Sequence, residues 1–207
     1  MLIKREYFSE YVQFTLNIPA AQVDPHILNA ENQDIIPKIG DQMYIALRSI
    51  FDTNPSIWSS ATAYLTNDYV IIQNGVQKQV YKALANNTNV NPISSPATWQ
   101  LSELGTFFEN YLKPFGVFAC YKEFLIYHGI NITQFGLRVA DETTSFAADG
   151  NTRAAMLDNA RSRMNAYQAK FQNYLCDIDW TFDGIIYDID CTVYKKHNNS
   201  QFKINAL

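Results

Sequence analysis

A chain of 207 residues, 47% hydrophobic, has enough apolar material for a core, and its sixteen basic and twenty acidic side chains leave a formal net charge of −4. That balance excludes a broad nucleic-acid-binding surface, which needs clustered Lys and Arg to displace counterions. No apolar run approaches the roughly 20 residues that span a bilayer, and the charged start MLIKREYFSEY has no signal-peptide core.

Residues 1–23 read as an extended arm, with Phe14, Leu16 and Ile18 alternating with polar residues until Pro19. Asp24 to Phe51 predicts two short helices broken at Gly40. Asp24 caps the first, Pro25 takes its first position, and Ile27, Leu28, Ile35 and Ile39 follow at helical spacing. Gly40 suits a left-handed helix end, after which Asp41 caps a second helix with Met43, Leu47, Ile50 and Phe51 on one face. Pro37 either kinks the first helix or sits in the first turn of a fresh one capped by Asp34.

From Trp58 to Trp99 helical periodicity stops. Two β-type runs, Asp68–Gln73 and Val76–Leu84, flank Asn74-Gly75, a strong hairpin signal. The segment predicts a small all-β insert over 57–100, with 1–56 and 101–207 forming the scaffold around it. Helical texture returns at Ser102. Leu104, Phe107, Phe108, Tyr111, Leu112, Phe115, Phe118 and Ala119 make a broad apolar stripe, which Pro114 should kink and Gly129 close. A connector over 130–150 has a short strand near Ile132. The last helix, Thr152 to Leu175, carries Leu157, Ala160, Met164, Tyr167, Phe171 and Tyr174 in three–four alternation, the seam of a bundle helix or a short coiled coil. Arg153, Arg161, Arg163 and Lys170 read as its solvated outer face. Finally, Ile185, Tyr187, Ile189, Cys191 and Val193 face one way and Asp188, Asp190 and Thr192 the other, and a turn at His197 to Ser200 leads to a short strand with Phe202 and Ile204. Such a terminal hairpin wants a partner.

Chemistry-bearing patterns are scarce. His26, His128 and His197 lack metal-ligand spacing, and there is no phosphate loop or nucleophile elbow. Ser145, His128 and Asp141 form no triad by spacing. The acidic run Asp177, Asp179, Asp183, Asp188 and Asp190 does not fit a calcium loop, and Asp188 and Asp190 read as the wet face of a strand. The cysteines, Cys120, Cys176 and Cys191, are widely separated and odd in number, and they read as small buried apolar residues of a reducing compartment. The expectation is a non-enzymatic protein with no cofactor and no metal, whose work is fitting against other proteins.

Two resemblances sharpen this. The segment from Ile27 to Leu47, the aromatic helix ENYLKPFGVFACYKEFL, the connector INITQFGLRV and the helix end YQAKFQNYL together resemble the head–tail connector (adaptor) proteins of tailed bacteriophages. The likeness is closest to those of Bacteroides-type hosts, including crAss-like phages. It implies a mainly α fold: a helical connector scaffold with a small all-β insert and a C-terminal β-hairpin. It also implies a structural virion protein, made in the host bacterial cytoplasm and copied in a ring at the head–tail junction. Its partners would be the dodecameric portal protein, its own copies, and other neck or tail ring proteins. DNA would pass through the lumen without specific binding. The portal or ring contacts expected are Ile185, Tyr187, Ile189, Val193, Phe202 and Ile204.

The insert, through Trp58, Tyr64, Asn67 to Val70, Asn74-Gly75, Tyr81 to Ala83, Asn86-Asn87, Pro92 and Trp99, resembles the small chitin-binding modules of bacterial chitinases. That likeness implies Trp58, Tyr64 and Tyr81 as candidate sugar contacts, and an alternative role as a carbohydrate-binding tail, fibre or decoration protein. Leu84 and Ala85 stand where that family presents its binding tryptophan, and sugar rings stack on exposed aromatic faces.

Overall fold

The computed structural model describes residues 1–12, 18–75, 77–127, 130–133, 136–139 and 150–187. Their architecture is a mixed α/β fold, which corrects the mainly α expectation. Strands are not confined to the insert: the described residues form one four-stranded sheet and three two-stranded ones. The chain divides into two compact units, residues 1–38 with 113–167, and residues 39–112 with 168–207. The small sheet of the insert thus belongs to a larger unit with its own helices.

In the first unit the N-terminal residues are packed down and partly coiled. Arg5–Glu10 forms a 3-10 turn, and Leu2, Ile3 and Phe8 are buried. Glu31, itself fully buried, accepts the Ile3 N–H at 2.8 Å. Gly116 makes room for the Ile3 side chain, since a Cβ there would lie 2.4 Å from Ile3 Cδ1. Lys113 is buried as well. Its ammonium donates to Glu10 at 2.8 Å and lies 4.2 Å from the centre of the Tyr7 ring. Phe14 and Leu16 of the expected strand lie outside the described residues.

Helix α1 (Ala20–Ala30) starts four residues ahead of the expected Asp24 cap, behind Pro19, so Pro25 lies inside the helix. Ala20, Ala21 and Gln22 are good helix formers, and Val23 joins Ile27 and Ala30 in the buried stripe. A π turn, Glu31–Ile35, then carries the chain into α2 (Ile36–Phe51). At its end the Ile36 N–H donates to the Glu31 carbonyl, five residues back. Pro37 follows two residues beyond this turn. An inserted residue widens the helix where a proline ring would meet the carbonyl of the preceding turn. Neither reading of Pro37, kink or fresh cap at Asp34, matches this arrangement. The same solution recurs downstream. Helix α3 (Glu103–Phe107) passes through a π turn, Phe108–Leu112, into α4 (Lys113–Tyr127), and Pro114 again stands two residues past the widened turn.

Helix α4 is apolar on nearly every side and accordingly buried from Lys113 to Cys120. Its charges are paired: Lys122 lies 2.7 Å from Asp34 and 3.3 Å from Glu123. Burial pushes the Cys120 thiol well above its usual range, with Glu31, Asp34 and Glu123 adding to the effect and Lys122 opposing it. Helix α5 (Gly150–Asp177) sends Arg153 to the C-terminal end of α4, where its guanidinium donates to the carbonyls of Leu125 at 2.6 and 2.9 Å and of Ile126 at 2.9 Å. Further along the seam, Tyr167 stacks on Phe118 at 5.7 Å between centroids. A hairpin, β7 (Ile130–Thr133) and β8 (Gly136–Val139), extends the single strand expected near Ile132.

The second unit begins with the break in α2. Gly40 has φ 75° and ψ 156°, a region essentially reserved for glycine, so the expected interruption falls at the expected residue. Beyond it Met43, Leu47, Ile50 and Phe51 are buried, and Phe51 packs on Phe108 at 4.2 Å. Six short strands follow: β1 (Ser56–Ile57), β2 (Ala63–Tyr64), β3 (Tyr69–Asn74), β4 (Gln77–Ala83), β5 (Asn87–Thr88) and β6 (Trp99–Ser102). The main sheet has the order β1-β3-β4-β6, with β1 parallel to β3 and the other neighbours antiparallel. Asn74 is the last paired residue of β3, so the hairpin turn begins at Gly75, with φ 61°, one position later than expected.

Strand β6 ends at Ser102, opposite Val80, while β4 extends on to Gln77. The helix takes over the pairing. Thr106 Oγ1 accepts the Val80 N–H at 3.0 Å. One turn on, Asn110 accepts the Lys78 N–H at 2.9 Å and donates back to the Lys78 carbonyl. Period two on the strand is matched by period four on the helix. Gly105 allows this approach, since a Cβ there would lie 2.9 Å from Val80 Cγ1. Lys78 also pairs with the buried Glu109 at 3.3 Å.

Of the cysteines, Cys120 is buried and free. Cys176 is disulfide-bonded, which corrects the reading of all three as buried apolar thiols. Cys191 lies outside the described residues. Among the described residues no helix is long and apolar enough to cross a membrane.

Replacing Asn110 with Leu strands both backbone groups of Lys78. It should cost about 2 kcal/mol in urea-monitored unfolding, more than Asn110→Asp, which keeps an acceptor. Cys120 should resist a thiol reagent in the native protein and react at the rate of global unfolding, read by intact mass against denaturant concentration.

Candidate interaction site

After α5 the chain runs through tight turns. Asp179, Trp180, Asp183 and Gly184 have φ of 48°, 55°, 49° and 78°. The last two residues form the turn of a hairpin between β9 (Thr181–Phe182) and β10 (Ile185–Ile186). Asp-Gly with both φ positive is the turn that matches the twist of a two-residue hairpin. Tyr187 N–H continues the pairing to the Trp180 carbonyl at 3.0 Å. One side of this hairpin is core. Trp180, Phe182 and Tyr187 are buried, and Phe182 packs on Phe107 at 5.0 Å and on Tyr187 at 6.2 Å. Phe107, Tyr111 and Tyr174 stack beside them, with Tyr111 and Tyr174 only 4.4 Å apart. The other side is bare: Ile185 is 50% exposed and Ile186 70%.

The tip of the hairpin is fixed by a reciprocal joint. Ser102 caps α3 through the Gly105 N–H, and the first helical residue, Glu103, donates its N–H to Asp183 at 3.2 Å. The Asp183 N–H donates in turn to the Glu103 carboxylate at 2.9 Å. This is the logic of a capping box, built from residues 80 positions apart. Burial raises the Asp183 carboxyl above its ordinary value, and Glu103 adds to the rise. The backbone donors of Glu103 and Leu104, together with Lys82, oppose it. Burial likewise raises the phenols of Tyr69 and Tyr187, with Asp183 contributing to both.

The expected portal or ring contacts fare differently. Ile185 is exposed, while Tyr187 is turned into the unit's own core. Ile189, Val193, Phe202 and Ile204 lie outside the described residues, as do Asp188 and Asp190. Sequence reasoning missed Ile186, the more exposed of the pair, because it set Ile185 and Tyr187 on one face of a longer strand. The Asp183-Gly184 dipeptide was the available signal for a turn at this place.

Of the expected sugar contacts, Tyr64 and Tyr81 are core and Trp58 is half-buried. Tyr64, Val70, Tyr81, Ala83 and Trp99 form the buried cluster of the insert, with Trp58 packed against it. Tyr64 meets Trp99 edge to face at 5.3 Å, and its hydroxyl accepts the Ser59 N–H at 2.7 Å. The Trp99 indole donates to the Val90 carbonyl at 3.0 Å. Neither Tyr64 nor Tyr81 presents an open ring face, and the strand end beyond Ala83 offers only the 43%-exposed Leu84. Among the described residues, no group of three His, Cys, Asp or Glu side chains could hold a metal ion.

A family model matches residues 62–192, more than half of the chain. The chain belongs to DUF6712, a family of unknown function. The matched span takes in most of the insert, α3 to α5 and the hairpin β9–β10. No curated protein and no solved structure matches.

Truncating Tyr187 to Ala should cost about 3 kcal/mol in chemical denaturation, whereas Ile186→Ser should change stability by less than about 0.5 kcal/mol. The pair separates the packed side of the hairpin from the presented one.

Proposed function

We propose that this member of DUF6712 is a structural protein of a phage neck, forming a ring beneath the portal and joining head to tail. The observation that carries the reading is the pinned hairpin: it presents the aliphatic pair Ile185 and Ile186 to solvent while its own aromatic side and turn are locked into the unit. A rigid element with a bare aliphatic face suits docking against another protein, since little ordering entropy is spent on binding. The helical motifs behind the adaptor resemblance support the same reading. They are the break at Gly40, the aromatic helix through Pro114 and the long α5. On this reading the partners are the portal, copies of the chain and neighbouring neck or tail rings, and the protein resides at the head–tail junction. The insert would serve as an ornament of the neck, its aromatics spent on its own core.

Immunogold labelling of purified particles, intact and tail-stripped, tests the assignment. Label at a single vertex at the head–tail junction is expected. Label along fibres or over the capsid would overturn it in favour of tail or decoration roles. The double variant Ile185→Asp, Ile186→Asp should fold normally by circular dichroism and fail to join portal-containing assemblies in co-sedimentation.

A further inference from the structure

Helix α5 is long for what covers it. Most of the stability of a helix in a protein comes from an apolar face packed on something else. Yet of its 28 residues the buried ones, among those described, are Ala160, Phe171, Gln172 and Leu175, and from Arg153 to Lys170 Ala160 stands alone. Met156, Asn159, Arg163, Ala166 and Lys170 recur at spacings of three and four, so they line one face, and all five are exposed. Between Asp158 and Asp177 the helix has three cations and no acid. Arg161 pairs with Asp158 at 3.7 Å. Arg163 and Lys170 lie over the Phe118 and Tyr111 rings at 5.6 and 5.5 Å, contacts that leave both residues open to solvent.

The complement to this face is on the chain itself. Beside the exposed pair Ile185 and Ile186, the exposed charged residues over 177–187 are Asp177, Asp179 and Asp183, all acidic. Glu103, joined to the hairpin tip, is a further exposed acid, while the cation acting on Asp183, Lys82, is half-buried. We propose that the exposed face of α5 from Met156 to Lys170 receives the acidic, aliphatic hairpin β9–β10 of a second copy of this chain, with Arg163 and Lys170 meeting the aspartates. Opposite charge on two uncovered surfaces steers the encounter and selects which faces meet. The two surfaces are different parts of the chain, so the contact is heterologous. Each copy uses its hairpin on one neighbour and its α5 on the other, and the contact repeats until a ring closes or a filament grows. The inference rests on the docking role given to the hairpin above and names the surface on which it docks.

Sedimentation velocity of the full chain, in a concentration series at low and high salt, tests the contact. Growth past the dimer is expected at low ionic strength, weakening several-fold as salt screens the pairing. Arg163→Glu with Lys170→Glu, and separately Asp177→Lys with Asp179→Lys, should each remain monomeric. An equimolar mixture of the two should associate as the wild type does, because each variant then finds opposite charge on both neighbours. Native circular dichroism is the control for folding. Asp177→Asn with Asp179→Asn keeps at 179 a residue type suited to its positive φ, and it should weaken association several-fold. A wild-type monomer at every concentration would overturn the proposal. So would growth that stops at a dimer, variants that associate unaided, or a mixture no better than its parts. Label at the head–tail junction with a monomeric chain strikes out this contact alone, and label elsewhere with an associating chain strikes out the neck assignment alone.

Discussion

A proline inside a helix has no N–H to give and a ring that needs space, and two helical runs of this protein carry one just past a π turn. The π turns ahead of Pro37 and Pro114 meet that constraint, and much else follows from where they lie. Each places a buried acid in the widened turn, Glu31 in one and Glu109 in the other. Glu31 receives the backbone of Ile3, and Glu109 receives the ammonium of Lys78. Inserting one residue rotates everything downstream by roughly 100° about the helix axis. The apolar stripes on either side of each π turn therefore cannot be one continuous face.

Polar burial is the second organising theme. In the first unit, Glu31, Lys113 and Glu123 lie almost out of reach of solvent, each with a partner from another stretch of chain or from its own helix. Such groups contribute little net stability. Removing one partner is costly, though, because the other is left buried and charged. Here residues 1–10 satisfy both, Ile3 through its N–H to Glu31 and Glu10 through its carboxylate to Lys113. The second unit does the same with neutral groups, using Thr106, Asn110 and Ser102 to answer backbone donors where regular pairing stops.

Elements whose cause is local were legible from sequence. Gly40 breaks α2 because of what glycine alone can do there, Ser102 caps α3, and Asn74-Gly75 lies at the β3–β4 hairpin. The hidden parts depend on distant partners. Ten N-terminal residues are too few to show a period, so the burial of Leu2 and Ile3 against Gly116 left no trace. Asp24-Pro25 looked like a helix start because nothing local marks Ala20 as one. The alternation from Ile185 suggested a free strand. It pairs instead with Thr181 and Phe182, and the turn between them is held through Asp183 by Glu103, 80 residues away. Trp58, Tyr64 and Tyr81 stood in the order of a sugar-binding module, but order does not distinguish a ring that stacks on a ligand from one that fills a core. The same gap between order and packing led to the mainly α reading: short strands such as β1 and β9 have no pattern of their own and exist through what they pair with.

The helix residues that complete β4 also bear on how the chain behaves at high concentration. A strand edge with free amides is a template on which another copy can polymerise. In β4 the exposed stretch past the end of β6 is answered by the Thr106 and Asn110 side chains, which use up its donors and have no further strand to offer. Along that stretch the sheet is sealed against edge-to-edge growth. The protein has there one less way to aggregate.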